Sequence, residues 1–244
     1  MGHLERLYLA YNETFRFDHW LEYGRFYERH LPTPGSGPLR MLEIGVQSGG
    51  SANVWRQYFG KDLTYVGMDV NPRCKRSEDR PRRTFIEVGS QGDTDFLQRV
   101  CEAHGPFDVV VDDGGHTASL ILTSLRYLGA RPGCVSPGAV YAIEDLHTLA
   151  MCPGGGIRTA IGGMPYCKKQ RSEFFPIVDE ALLGLHRHWY PRRKTVSSIP
   201  EWALRVGSMA LYDSLAFFTF ADRPALTRVI LPVPERPGSF IPFY

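Results

Sequence analysis

Five carboxylate and imidazole groups fall in two short runs of this sequence, Asp112-Asp113-Gly114-Gly115-His116 and Glu144-Asp145. Each run closes a stretch with the make-up of a buried strand, Phe107 to Asp112 and Gly138 to Ile143. If those strands are neighbours, Asp113, Glu144 and Asp145 converge at one edge of a sheet. Carboxylates that close repel and raise one another's pKa unless a cation sits among them. Hard oxygen donors without Cys or paired His favour Mg2+, with Mn2+ or Ca2+ as alternatives, and leave open positions for substrate oxygens. His116, three residues after Asp113, faces the same space, and imidazole exchanges protons near neutral pH as a general base does. The competing reading makes the acids N-caps of the following helices. The coincidence of five such groups favours the chemical one.

A second set of residues suits a nucleoside. Leu39 to Ile44 ends in Glu43-Ile-Gly45-Val-Gln-Ser-Gly49-Gly50, a loop whose glycines let backbone approach a ligand before a helix that starts near Ser51. The dinucleotide pattern G-x-G-x-x-G is not met, because Gln47 occupies the second glycine position, so a nicotinamide cofactor is disfavoured. The next strand, Leu63 to Asp69, ends in an acid that can accept both ribose hydroxyls. After Thr84 to Val88, Gly89-Ser90-Gln91 offers hydrogen bonds to a nucleobase, a weaker signal because turns use these residues freely.

The elements that must position these groups follow from periodicity. Short apolar runs alternate with stretches that space apolar residues three or four apart, namely Ser51 to Phe59, Asp93 to His104 and Thr117 to Leu128. That rhythm predicts βαβ units and an α/β fold, doubly wound and Rossmann-like. Ligands then sit at the carboxyl ends of the strands, where all the groups above fall. Residues 1–31 read as one or two aromatic-rich helices closed by a Pro/Gly breaker. Residues near Glu173 to His188 form a helix, and Gly207 to Phe220 hold two strands, expected to be antiparallel. The expected organisation is a helical N-terminal cap over 1–38, a binding domain over 39–221 with a lid at 147–172, and a Pro-rich extended tail over 222–244.

Composition bounds the partners. With 28 basic and 26 acidic residues the chain carries only +2, which argues against sequence-independent nucleic-acid binding or attachment to a membrane surface. The Arg73 to Arg83 stretch is locally basic but lacks interleaved aromatics, and is expected to be a solvated loop. The five cysteines are scattered with no C-x-x-C pair, so no disulfide framework is expected and a reducing, cytoplasmic setting is the simplest reading.

The run Glu43 to Gly50 followed by Asp69 resembles class I S-adenosylmethionine-dependent methyltransferases. More specifically, His19 to Leu31, then MLEIGVQSGGSANVW, EVGSQGDTDFL, FDVVVDDGGH, PGAVYAIEDLHT and SMALYDSLAFF follow in order the blocks of the metal-dependent sugar O-methyltransferases of macrolide and polyketide tailoring, over residues 11–220. The resemblance implies a seven-stranded, mostly parallel sheet with an antiparallel last strand. It implies Asp113, Glu144 and Asp145 as magnesium ligands and His116 as the catalytic base. Glu43, Gly45, Gly49, Asp69, Ser90, Gln91 and Asp112 are implied to line the S-adenosylmethionine site. The implied reaction is methyl transfer to a hydroxyl, one of a vicinal pair, on a small molecule, sugar or natural product, by a homo-oligomer. A metal-dependent hydrolase or hydroxylase-type enzyme, or a non-catalytic nucleoside-binding protein, is the alternative. Gly115 stands where the family commonly has Ser, and Leu149-Ala150 where it often has Ser-Tyr, so acceptor choice does not carry over.

Overall fold

Continuous aliphatic runs bury both faces of a strand, and the five runs identified in the sequence are the five parallel strands of the sheet. In the computed structural model, which describes residues 1–150, 168–187 and 199–222, they are β1 (Leu39–Ile44), β2 (Leu63–Asp69), β3 (Thr84–Val88), β4 (Phe107–Asp112) and β5 (Val135–Ile143). The hairpin β6 (Val206–Tyr212) and β7 (Leu215–Phe220) completes a seven-stranded sheet of order β3-β2-β1-β4-β5-β7-β6. β7 pairs antiparallel with both β5 and β6 and is the one reversed strand. β1 lies between β2 and β4, the point where the winding reverses and where a doubly wound sheet opens a crevice.

Alternate residues of each strand feed two cores. Met41, Tyr65, Val109, Val111, Ala142 and Phe217 face α1 (His3–Ala10), α2 (Tyr23–His30) and α3 (Gly50–Phe59). Leu42, Val66, Val110, Tyr141, Ile143 and Phe218 face the other side. They meet α4 (Thr94–His104), α5 (Ala118–Gly129), α6 (Lys168–Phe174), α7 (Pro176–Leu185) and α8 (Glu201–Leu204). The single helix expected at 173–188 is instead two, because Pro176 takes the first position of α7 and cannot continue the hydrogen bonding of α6. Most of the expected lid and nearly all of the tail lie outside the described residues.

One expectation is corrected. Cys101, in α4, and Cys134, just before β5, are joined in a disulfide across a sequence separation of 33. Both lie at the same end of the sheet, a proximity that linear spacing does not reveal, and cysteine usage therefore no longer argues for a reducing compartment. The basic stretch after β2 is solvated as expected, with Arg73, Lys75, Arg76, Arg80, Arg82 and Arg83 all exposed, and it is also ordered. Two short 3-10 turns, Pro72–Ser77 and Arg80–Arg82, are stitched to β3 by Glu78, which accepts from Lys75 Nζ at 2.6 Å, Arg80 Nε at 3.0 Å and the Ile86 backbone N–H at 3.1 Å. No helix of the described residues is long and apolar enough to cross a membrane.

Candidate metal and methyl-donor site

The register of β4 on β5 pairs Asp112 with Ile143, so the residues that follow each strand emerge side by side. Asp113, His116 and Asp145 place ligand atoms within 4.8 Å of one another, and so do His19, Asp113 and Glu144, with Asp113 common to both groups. His116 Nε2 lies 3.7 Å from Asp113 Oδ1. The acids are not helix caps: the N-cap of α5 is Thr117, and the residues after Asp145 enter a 3-10 turn over Leu146–Ala150. Three side-chain-bearing residues at this edge, Gln47, His116 and Asp145, hold positive φ of 50°, 48° and 54°. Such conformations are uncommon outside glycine and gather at functional sites.

Burial makes this cluster costly. Burial, then the neighbouring Glu144, pushes the Asp113 carboxyl well above its usual range. Opposing contributions act on His19: burial disfavours its charged form, yet Glu144, backed by Asp113 and Glu43, drives its pKa up to about 10. The N-terminal segment supplies the remaining partners. Tyr27 donates to Glu144 Oε1 at 2.5 Å, while Tyr23 at 3.0 Å and Trp20 Nε1 at 3.1 Å both donate to Asp145 Oδ1. Sequence reasoning missed these four residues of the N-terminal segment. The available signals were their type, two tyrosines, a tryptophan and a histidine in a segment expected to act as a cap, and their place in the His19 to Leu31 block that resembles the family.

The cluster forms one wall of a cavity of about 830 Å³ along the carboxyl ends of β1 to β5. Gly45, Asp69, Ser90 and Gln91 line it together with Arg16 to Trp20. Asp69 sits with Oδ2 accepting from the Gln47 N–H and Oδ1 from the Asn71 N–H, both at 2.8 Å, which fixes the carboxylate at the crevice rim. Gly45 adopts φ +94°, and a Cβ there would lie 2.1 Å from the Asp113 carbonyl oxygen. Its lack of a side chain thus admits the β4 terminus rather than a ligand.

Three residues expected to line the donor site, Glu43, Asp112 and Gly49, lie outside the cavity lining. Glu43 is fully buried, its carboxylate taken by Ser51 at 2.7 Å, Trp55 Nε1 at 3.2 Å and Tyr65. Asp112 is equally enclosed by Gln91, Ser124 and Tyr141. Even-odd alternation explains both, since these side chains point into the layers that flank the sheet. Gly49 lies outside the cavity lining as the N-cap of α3, with φ +87° and a Ser77 side chain where its Cβ would go. Gln91 reaches both worlds: its Nε2 donates to Asp112 and its Oε1 accepts from the Gly115 N–H at 2.7 Å, so it ties the β4 terminus to the turn that carries His116.

The donor set fits a hard divalent cation. Asp113, Glu144 and Asp145 offer oxygens, and those of Glu144 and Asp145 are already oriented by hydrogen bonds from Tyr27 and Tyr23, as metal ligands characteristically are by their outer partners. The strand order, the single reversed strand and the crevice at β1 together define the class I methyltransferase fold.

The comparisons with known proteins agree with that class. A structure of MycE, a methyltransferase of the mycinamycin biosynthetic pathway in complex with Mg and SAH, superposes with a TM-score of 0.71 at 26% identity, over 90% of this chain and 55% of that one. The chain is 40% identical over 167 residues to an 8-demethyl-8-(2-methoxy-alpha-L-rhamnosyl)-tetracenomycin-C 3'-O-methyltransferase of Streptomyces olivaceus, 65% of this chain and 40% of that protein. It is 35% identical over 153 residues to the mycinamicin VI 2''-O-methyltransferase of Micromonospora griseorubida, 60% of this chain and 36% of that protein. The matched region spans less than half the length of each of these curated relatives. No protein-family model matches the chain.

Proposed function

We propose that this chain is a metal-dependent O-methyltransferase that moves the methyl group of S-adenosylmethionine to a hydroxyl of a small hydroxylated acceptor, a sugar of a natural-product glycoside. The observation that carries the reading is that three carboxylates and His116 share one wall of the cavity that Asp69 and the Gly45 loop border. The relatives that are similar over most of this chain bear sugar O-methyltransferase names, which supports both the reaction and the acceptor class. The reading includes a homo-oligomer and neither nucleic acid nor membrane as partner.

Each residue then has a task. Asp69 accepts the two ribose hydroxyls of the donor, and Ser90 and Gln91 border its base. Asp113, Glu144 and Asp145 would hold Mg2+ or Mn2+, which supplies acceptor chelation and stabilises an alkoxide. His116 takes the acceptor's proton at Nε2. Trp20, exposed at the cavity rim, bounds the side from which the acceptor enters. The N-terminal residues 1–38 act as a cap whose donors hold Glu144 and Asp145 in place. Holding donor and acceptor in line supplies roughly 7 to 11 kcal/mol of the barrier, and general-base help about 10²- to 10⁴-fold.

Calorimetric titration of S-adenosylhomocysteine into the purified chain, with Mg2+ and again with EDTA, tests the donor assignment. Micromolar binding supports it and justifies a screen of glycosides with vicinal hydroxyls. Absence of binding in both buffers overturns it and brings the metal-hydrolase alternative forward.

A further inference from the structure

One polar atom of the site has no assigned task. The His19 side chain is only 4% exposed, stacked on Phe17 with ring centroids 4.8 Å apart and packed against Tyr8 at 5.9 Å. Its Nδ1 is sealed from solvent and makes no well-formed hydrogen bond. The neighbour it faces is Glu144 Oε2, at 3.3 Å. A buried imidazole there is satisfied either as a cation paired with that carboxylate or, when neutral, by a bond from its nitrogen to a metal. It is not there by accident of a loose loop, because the segment that carries it is held on both sides. Ser48 Oγ donates to the Arg16 carbonyl at 2.8 Å, and Trp20 and Tyr23 bind Asp145.

We propose that His19 is a nitrogen ligand of the divalent cation, completing the carboxylate set of Asp113, Glu144 and Asp145 from the N-terminal segment. The inference rests on the metal-dependent reading above. Three observations carry it. His19 closes a group with Asp113 and Glu144 whose ligand atoms lie within 4.8 Å. A cation with bonds of about 2.1 Å sets neighbouring donor atoms about 3 Å apart, close to the 3.3 Å between His19 Nδ1 and Glu144 Oε2. The Tyr27 hydroxyl occupies the other oxygen of the same carboxylate, Oε1, which leaves Oε2 turned toward His19 and the cluster.

The consequence is chemical as well as structural. One imidazole among oxygens moves the site from a pure magnesium set toward Mn2+ and Co2+, which bind nitrogen more readily. It also makes the cation a bridge between the N-terminal segment and the sheet, so loading the site ties residues 16–20 down over the cavity.

Mn2+ on the full, metal-stripped chain provides the test. Calorimetry gives affinity, and electron spin-echo modulation reports a ¹⁴N nucleus bonded to Mn2+. In the His116→Gln/His147→Gln background, His19 is the imidazole left beside these acids among the described residues. Imidazole modulation is expected to persist in that background and to vanish in His19→Gln, with Mn2+ affinity falling at least tenfold. Should His19→Gln fail to fold, the double-variant background decides the matter alone. Bound Mn2+ without nitrogen modulation there overturns the His19 assignment and leaves the carboxylate site standing. No Mn2+ binding by the wild-type chain overturns the metal reading itself, and His19 with it.

Discussion

Tyr27 donates its phenolic hydrogen to Oε1 of Glu144 from a helix 117 positions earlier in the chain. Both groups are buried, and burial, then the charge of Glu144, pushes the Tyr27 hydroxyl well above its ordinary pKa, so it stays protonated and donates to the carboxylate. The N-terminal helices therefore take part in the site's construction as well as covering the sheet. Tyr27→Phe removes this donor and keeps the ring packing against Trp55 and Phe217. The expected outcome is a loss of about 1.5 to 3 kcal/mol of stability, typical for a hydrogen bond to a charged group. A roughly 10- to 100-fold loss of Mn2+ affinity accompanies it, as for other outer partners of metal ligands. S-adenosylhomocysteine affinity stays unchanged. Thermal melting and two calorimetric titrations check the three parts, and unaltered Mn2+ binding would remove the tyrosine's role in orienting Glu144.

His116, the base in the proposed reaction, sits in a turn set by its positive φ of 48° and by the Gln91 bond to the adjacent Gly115 N–H. His116→Ala is expected to keep donor and metal binding and to lose turnover by at least about 10²-fold. Initial rates on a glycoside acceptor with free vicinal hydroxyls, alongside donor titration, separate the two effects. A variant that turns over normally rules out His116 as the base.

The strands, the main helices and the carboxylate edge were legible because each depends on local pattern. Aliphatic runs of five to seven residues can bury both faces only as central strands, and the residues that follow them must then meet at one sheet edge. Glu43 and Asp112 went the other way. The family resemblance implied that both line the donor site, but side-chain alternation inside the strand sends them into the packed layers, where Ser51, Trp55 and Ser124 receive them. His19, Trp20, Tyr23 and Tyr27 were not legible as site residues. Their partners lie more than a hundred positions away, and nothing in their own spacing points to Glu144 or Asp145. The Cys101–Cys134 pair was hidden for the same reason.

Glu78 carries the pH dependence of the basic stretch. The Lys75 hydrogen bond, helped by Arg80 and the Ile86 N–H against a small burial cost, lowers its pKa from 4.5 to about 2. A carboxyl depressed on folding contributes stability that is present above about pH 4.5 and is lost as pH falls through about 2. Glu78→Gln is expected to lower the melting temperature at pH 7. The gap between variant and wild type then closes as the pH drops from 4.5 toward 2. Melting curves across that range check it, and a gap that stays constant would mean that Glu78 acts through shape alone.

Gly45 joins the two halves of the site through backbone contact. Its φ of +94° is unfavourable for any residue with a Cβ, and the added carbon would press on the carbonyl of Asp113, the residue shared by both groups of candidate ligands. Gly45→Ala must therefore move either the donor loop or the β4 terminus. Because the Asp113 N–H is also bonded to the Ile44 carbonyl at 2.9 Å, neither end can shift alone. The expected result is a joint weakening of S-adenosylhomocysteine and Mn2+ binding, each by tenfold or more, in a protein whose melting temperature falls by several degrees. Calorimetry with each ligand in turn distinguishes this from the simpler expectation that the glycine serves only the donor. Loss of donor affinity with intact Mn2+ binding would show that the loop yields and the metal edge does not.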